Sequence, residues 1–185
     1  MKILKRILFS ILLLLICGIL FRGWLYRNLV TYKSIGHRSV YIANNDSLIH
    51  DIEAFSNTGK ETNVKLIISQ SLFLTSEILN FTDEKNENDP NKLIYSKTAH
   101  CVGYASFFAT SCNYLLKKYH LDKDWTATPQ IGQLYFLGTN IHNYLNNSFL
   151  KDHDFVLIEN KTTGEKFAVD PTINDYLSID FITLQ

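Results

Sequence analysis

HDFVLIENKTTGEKFAVDP, residues 153–171, reads as two short apolar strands joined by a polar turn. Phe155 to Glu159 and Lys166 to Asp170 are rich in strand-forming residues, and Asn160 to Gly164 supplies the turn between them. A simple hairpin centred between Lys161 and Thr162 sets Phe155 opposite Ala168 and His153 opposite Asp170. Directly opposed side chains share a face, with Cβ atoms about 4.5 to 5.5 Å apart, which lets a carboxylate hydrogen-bond an imidazole. A one-residue bulge at Gly164 would flip that register.

Upstream, Cys101 to Tyr119 carries a helical pattern, with Ala105, Phe108, Cys112, Leu115, Leu116 and Tyr119 on one face. Cys101 stands at the start of this helix, where free backbone N–H groups and the helix dipole stabilise a thiolate, and His100 adjoins it. A lone cysteine there is more often a small buried hydrophobe, a lone His153 a satisfied histidine, and a lone Asp170 before Pro171 turn chemistry. Together they supply a nucleophile, a base within reach and a group to orient that base. Cys112 reads as core, and so do Tyr104, Phe107, Phe108 and Tyr114.

Three motifs in order carry a family resemblance. They are Cys101-Val102-Gly103-Tyr104-Ala105 opening a helix, His153 opening an apolar strand, and Ala168-Val169-Asp170-Pro171-Thr172 ending another. This region, about residues 97 to 176, resembles the core of transglutaminase-like, papain-related cysteine enzymes. The resemblance implies an α+β fold, with a helix packed on an antiparallel sheet. It also implies Cys101 as nucleophile, His153 as general base and Asp170 as orienting acid, acting on an amide bond through a thioester. A catalytically inactive domain of the same fold, serving as an envelope binding or scaffold module, is the alternative. Two departures stand out. Asp154 and Phe155 follow the histidine where the family often has Ala-Trp, so an extra carboxylate beside the base is expected to raise its pKa. The residue assisting the oxyanion is open between Gln70, Tyr95 and Trp125.

Ahead of the cysteine, Asn45-Asp46-Ser47 caps a short helix through Phe55, Ser56 to Glu61 turns at Gly59, and Asn63 caps a longer helix from Val64 to Asn80. Thr82 to Asn91 reads as an exposed loop. That loop and Leu121 to Gln130 are the expected substrate contacts. Gly132 to Gly138 reads as a further strand, and Arg38 to Ala43 as a short β segment.

The first residues read differently. Ile7 to Phe21 is free of charge, follows Lys2, Lys5 and Arg6, and continues through Trp24 and Tyr26. The expected organisation is a short tail (1–6), one transmembrane anchor (7–26), a linker (27–36) and one domain (37–185). A cleaved signal peptide and a buried core helix are the other readings of the apolar run; no small-x-small cleavage site follows it. The six-residue tail favours a domain outside the cytoplasm.

With 18 Lys plus Arg against 18 Asp plus Glu and no basic patch beyond the anchor, nucleic acid is a poor partner; the family resemblance implies a protein or peptide substrate instead. No cofactor is expected: His100 and His142 lack a second pair at ligand spacing, and no acidic loop suits calcium. Cys101 and Cys112, eleven positions apart on one helix, sit roughly 16 Å apart and cannot form a disulfide. Oligomeric state is not legible.

Overall fold

The alternating apolar residues of the opening stretch do pair as an antiparallel hairpin in the computed structural model, between strands β6 (Phe155–Asn160) and β7 (Lys166–Val169). The model describes residues 2–56, 62–84, 86–145 and 151–185, so the expected turn at Gly59 lies outside the described residues. The hairpin register differs from the simple one by two positions: Leu157, not Phe155, pairs with Ala168. Lys161 to Gly164 form a four-residue loop. The Asn160 side chain accepts hydrogen bonds from the N–H groups of Thr162 and Thr163, both at 2.9 Å, and Gly164 takes a φ of +74°. A slip of two preserves the strand period, so every side chain keeps its face. Asp170 therefore falls opposite Phe155, and His153 lies on the diagonal beside it.

The hairpin is one edge of a six-stranded sheet ordered β7-β6-β4-β1-β8, with the short β5 (Thr139–Asn140) also on β4. Strand β4 (Trp125–Phe136) is long and antiparallel to both β6 and β1 (Val30–His37), whereas β8 (Thr183–Leu184) runs parallel to β1. Two sequence expectations are corrected here. The segment read as a linker, 27–36, supplies most of β1, a central strand whose Tyr32 is fully buried, while Arg38 to Ala43 forms no strand. The polar composition of β1 hides it: Ile35 is the extra residue at a bulge between Ser34 and Gly36 and points into solvent. Of Leu121 to Gln130, expected to contact substrate, Trp125 to Gln130 is the first half of β4. Pro129 sits in this inner strand just where β1 has ended, and its carbonyl accepts from Arg38 N–H at 2.9 Å.

Helix α6 (Cys101–Lys118) is buried on nearly every side, more than its single apolar face suggested. It lies between the sheet and helix α4 (Val64–Ile78), which Asn63 caps as expected; α3 (Asp46–Phe55) is capped by Asn45. Two short helices, α5 (Pro90–Ser96) and α7 (Pro171–Leu177), begin at Asp-Pro pairs that read as turn signals in sequence. In each the aspartate is the N-cap and the proline sits in the first turn, where its missing N–H costs nothing. The strands β2 (Asn80–Phe81) and β3 (Thr98–Ala99) pair beside the start of α6. Apolar side chains fill both faces of the main sheet. Val156, Ile158 and Val169 join the helical core, and Tyr32, Phe155, Ala168 and Ile182 form a second cluster.

At the N-terminus, the expected single span is broken. Helix α1 (Lys2–Leu20) and helix α2 (Arg22–Leu29) meet at Phe21 with a bend of 73°, and β1 follows directly. Among the described residues no single helix is long and apolar enough to cross a membrane, although this bent pair meets that test together.

Close approach of β4 and β6 depends on Gly132. A Cβ there would lie 2.6 Å from the His153 carbonyl oxygen and 2.6 Å from the Phe155 ring. Gly132→Ala is expected to lower stability by about 1 to 3 kcal/mol, read as a fall in thermal midpoint. An unchanged midpoint would show that the strands can part without loss.

Candidate active site

The first residue of α6, the residue two before β6 and the residue just after β7 come together at one end of the sheet. His153 Nε2 lies 2.6 Å from Asp170 Oδ2, and the Cys101 thiol hydrogen-bonds the imidazole. With Nε2 committed to Asp170, the other ring nitrogen, Nδ1, is the one left for sulfur. Cys101 is 7% exposed, the His153 side chain is 21% exposed and the Asp170 side chain is fully buried. The site thus offers a sulfur and an imidazole edge to solvent with the carboxylate sealed behind them.

Asp170 is held from two directions. Its Oδ1 accepts from the N–H groups of Thr172 (3.0 Å) and Ile173 (3.1 Å), capping α7. Its Oδ2 accepts from Tyr32 O–H (2.7 Å) as well as from His153. Each oxygen therefore has two donors, which a buried carboxylate needs to replace water.

The sequence did not reveal that the His100 side chain meets the Cys101 sulfur. His100 is the N-cap of α6, accepting from Val102 N–H at 3.3 Å through Nδ1, and its side chain also hydrogen-bonds the Cys101 sulfur. Burial opposes the Cys101 thiolate. Hydrogen bonds from His100 and His153, the charge of His153 and the Asp154 backbone N–H together outweigh it and bring the thiol down from 9.0 to about 7. Burial likewise works against the His153 imidazolium, but the adjacent Asp170 carboxylate and the Cys101 sulfur overcome it and hold its pKa well above 6.5. Near neutral pH the pair tends toward thiolate and imidazolium.

The extra carboxylate beside the base has a different role from the one expected. Asp154 is fully buried and gripped in a bidentate pair by Arg38, with Nε–Oδ2 at 2.9 Å and Nη2–Oδ1 at 3.0 Å. Its charge is spent on Arg38, and it is Asp170 that raises His153. Nothing local in the sequence pairs residues 38 and 154; the nearest clue is that both adjoin strand ends.

The three oxyanion candidates are not gathered at the sulfur. Trp125 is seven residues along β4 from Gly132, the residue hydrogen-bonded to His153, or roughly 23 Å at 3.3 Å per residue. Ser71, next to Gln70, lies beside Cys112, eleven residues or roughly 16 Å along α6 from Cys101. Tyr95 is exposed and bonds Asn45. Val102 N–H is taken by the His100 cap, so the other first-turn N–H groups of α6, which a helix leaves without intrahelical acceptors, are the donors at hand. Of the two expected substrate-contact segments, the loop after Phe81 does flank the site: Thr82 N–H bonds the Ala99 carbonyl at 2.9 Å, two residues before Cys101. A groove of about 670 Å³ lined by Ile42, Thr110, Asn113 and Lys117 lies further along α6, away from the sulfur. Among the described residues, no group of three His, Cys, Asp or Glu side chains is placed to hold a metal ion.

No protein-family model, no curated protein and no solved structure matches this chain.

In a Cys17→Ser background, alkylation of Cys101 is expected to reach half its limiting rate near pH 7. His153→Ala should move that midpoint up toward the ordinary thiol value of about 8.5, because one hydrogen bond and one positive charge are lost. Cys112, whose burial pushes its thiol up to about 12, should stay unlabelled in the native protein. A Cys101 midpoint that ignores His153 would contradict the pairing.

Proposed function

We propose that this chain is a thiol-dependent acyl-transfer enzyme of the transglutaminase-like, papain-related kind, acting on an amide bond of a protein or peptide. The observation that carries this reading is the meeting of Cys101, His153 and Asp170, from three separate elements, in hydrogen-bonded sequence. A buried cysteine in a core has no need of a histidine, and a histidine in a turn has no need of a sealed carboxylate.

In the reaction, the Cys101 thiolate adds to the amide carbonyl carbon, and the carbonyl oxygen takes the negative charge beside the first N–H groups of α6. As the tetrahedral intermediate collapses, the C–N bond breaks and the His153 imidazolium gives its proton to the departing amine. The neutral imidazole then takes a proton from water, whose oxygen attacks the thioester and releases the acid, or from an amine in a cross-linking reaction. Asp170 keeps the imidazole turned toward sulfur throughout. Thiolate and imidazolium are required together, so the rate should rise as pH passes about 7 and fall only where His153 loses its proton, displaced upward from 6.5.

We further propose that α1 and α2 hold the domain at a membrane, with the domain outside the cytoplasm. Leu8, Phe9, Leu14 and Leu20 are each more than half exposed, which leaves an apolar surface that lipid would cover. The catalytic unit includes β1, so it extends further toward these helices than the expected boundary at residue 37.

Incubation of the full chain with a panel of glutamine-containing and other peptide amides, followed by intact mass measurement, should trap a hydroxylamine-sensitive adduct on Cys101. Cys101→Ala should give none, and His153→Ala should slow turnover by about 10³-fold. An absent adduct combined with Cys101 labelling only in alkali would favour a binding or scaffold module in place of an enzyme.

A further inference from the structure

The hydrogen-bond chain does not stop at Asp170. Tyr32 O–H donates to its Oδ2 at 2.7 Å, and the Tyr32 oxygen lies 2.5 Å from that of Tyr26. A phenol has a single proton, and that of Tyr32 is committed to Asp170, so Tyr26 is the donor in the second contact. Burial raises both phenols well above 10, the charge of Asp170 adding to it, so both remain protonated donors across the working range. Tyr26 belongs to α2, and α2 is stitched to the end of the helix that Asp170 caps and to β8. Arg22 Nε donates to the Leu177 carbonyl at 2.5 Å, and Thr183 Oγ1 donates to the Arg27 carbonyl at 2.9 Å.

We propose that Tyr32 and Tyr26 are positioning residues of this site, a hydroxyl relay by which the N-terminal helix pair sets how much negative charge Asp170 presents to His153. The inference rests on the thiol-enzyme reading above and adds a means of tuning it. Oδ1 of Asp170 is already fixed by two backbone N–H groups, so the tyrosines are not needed to hold the carboxylate in place. Their effect is on Oδ2, the oxygen that His153 shares. Each donated hydroxyl draws charge from that oxygen, and Tyr26 strengthens Tyr32 as a donor by polarising it. Loss of either hydroxyl returns charge to Oδ2 and favours the imidazolium. The other groups around His153 are the Cys101 sulfur and His100 at the start of α6, and Asp152 and Asp154, both beside Arg38. A shift of α2 relative to the sheet, through what its helix pair is bound to, would thus change the protonation of the base from a distance.

The test follows the His153 ring resonances of the full chain in detergent micelles against pH, with the signal assigned by its loss in His153→Ala. Tyr32→Phe is expected to raise the His153 midpoint by about half a pH unit or more, and Tyr26→Phe to raise it by a smaller amount. Tyr26→Phe removes one oxygen from a partly buried ring that packs 6.4 Å from Tyr32, so it reports even if the more buried variant folds poorly. A merely structural role would lower the thermal midpoint and leave the titration in place. Variant titrations that superimpose on a raised wild-type curve, or move down, overturn the relay alone. A wild-type midpoint at or below 6.5, with Cys101 labelled only in alkali, overturns the thiol-enzyme reading and the relay with it.

Discussion

The carboxylate of Asp170 is the point on which this structure turns. It is fully buried, and a charge without partners there would cost several kcal/mol. Four donors replace the lost water: two N–H groups of α7, one phenol from the central strand and one imidazole from the start of β6. To bring these donors to one place the chain must form the β6–β7 hairpin, end it in a capped helix, and return residues 30–37 to the middle of the sheet. The site geometry and the fold topology are therefore one constraint seen twice.

On the other side of the imidazole the balance is finer. Cys101 is buried enough to be protected and would, by burial alone, hold its proton. Two histidines and the Asp154 backbone N–H reverse that. The difference between Cys101 and Cys112 shows how local this is: both lie on α6, and the second, fully buried, is pushed the opposite way by burial. The Arg38–Asp154 pair contributes by removal, since it occupies a carboxylate that would otherwise act on the base, and it fixes the backbone whose N–H meets the sulfur.

The N-terminal helices are part of this arrangement. Helix α2 runs straight into β1, and Arg22 and Arg27 bind backbone and side-chain groups near the far end of the chain. Leu137 N–H, in the turn after β4, also bonds the Leu29 carbonyl. An apolar helix followed by a flexible tether would leave the domain indifferent to it; here β1 follows α2 directly.

The helix starts at Asn45, Asn63 and Cys101 were legible because capping and apolar periodicity are local properties, and the pairing of His153 with Asp170 was legible because strand phase is set by a period of two. That phase survived a two-residue error in the hairpin register, whereas an error of one would have turned the residues to opposite faces. The Asp-Pro pairs at 89–90 and 170–171 misled because turn and helix-start chemistry use the same residues, and only the following tertiary contacts choose between them. Strand β1 was invisible for a related reason: its residues are polar, and its place is earned by Tyr32, whose partners Asp170 and Tyr26 lie 138 and 6 residues away. Sequence by itself determined the helix that begins at the thiol and the shared face of His153 and Asp170, because each rests on neighbours within a few turns or one hairpin. Tertiary structure alone decided what surrounds them, namely the His100 contact, the Arg38 clamp on Asp154 and the tyrosines behind Asp170. Those depend on which distant segments share a buried space, and burial is a property of the whole fold.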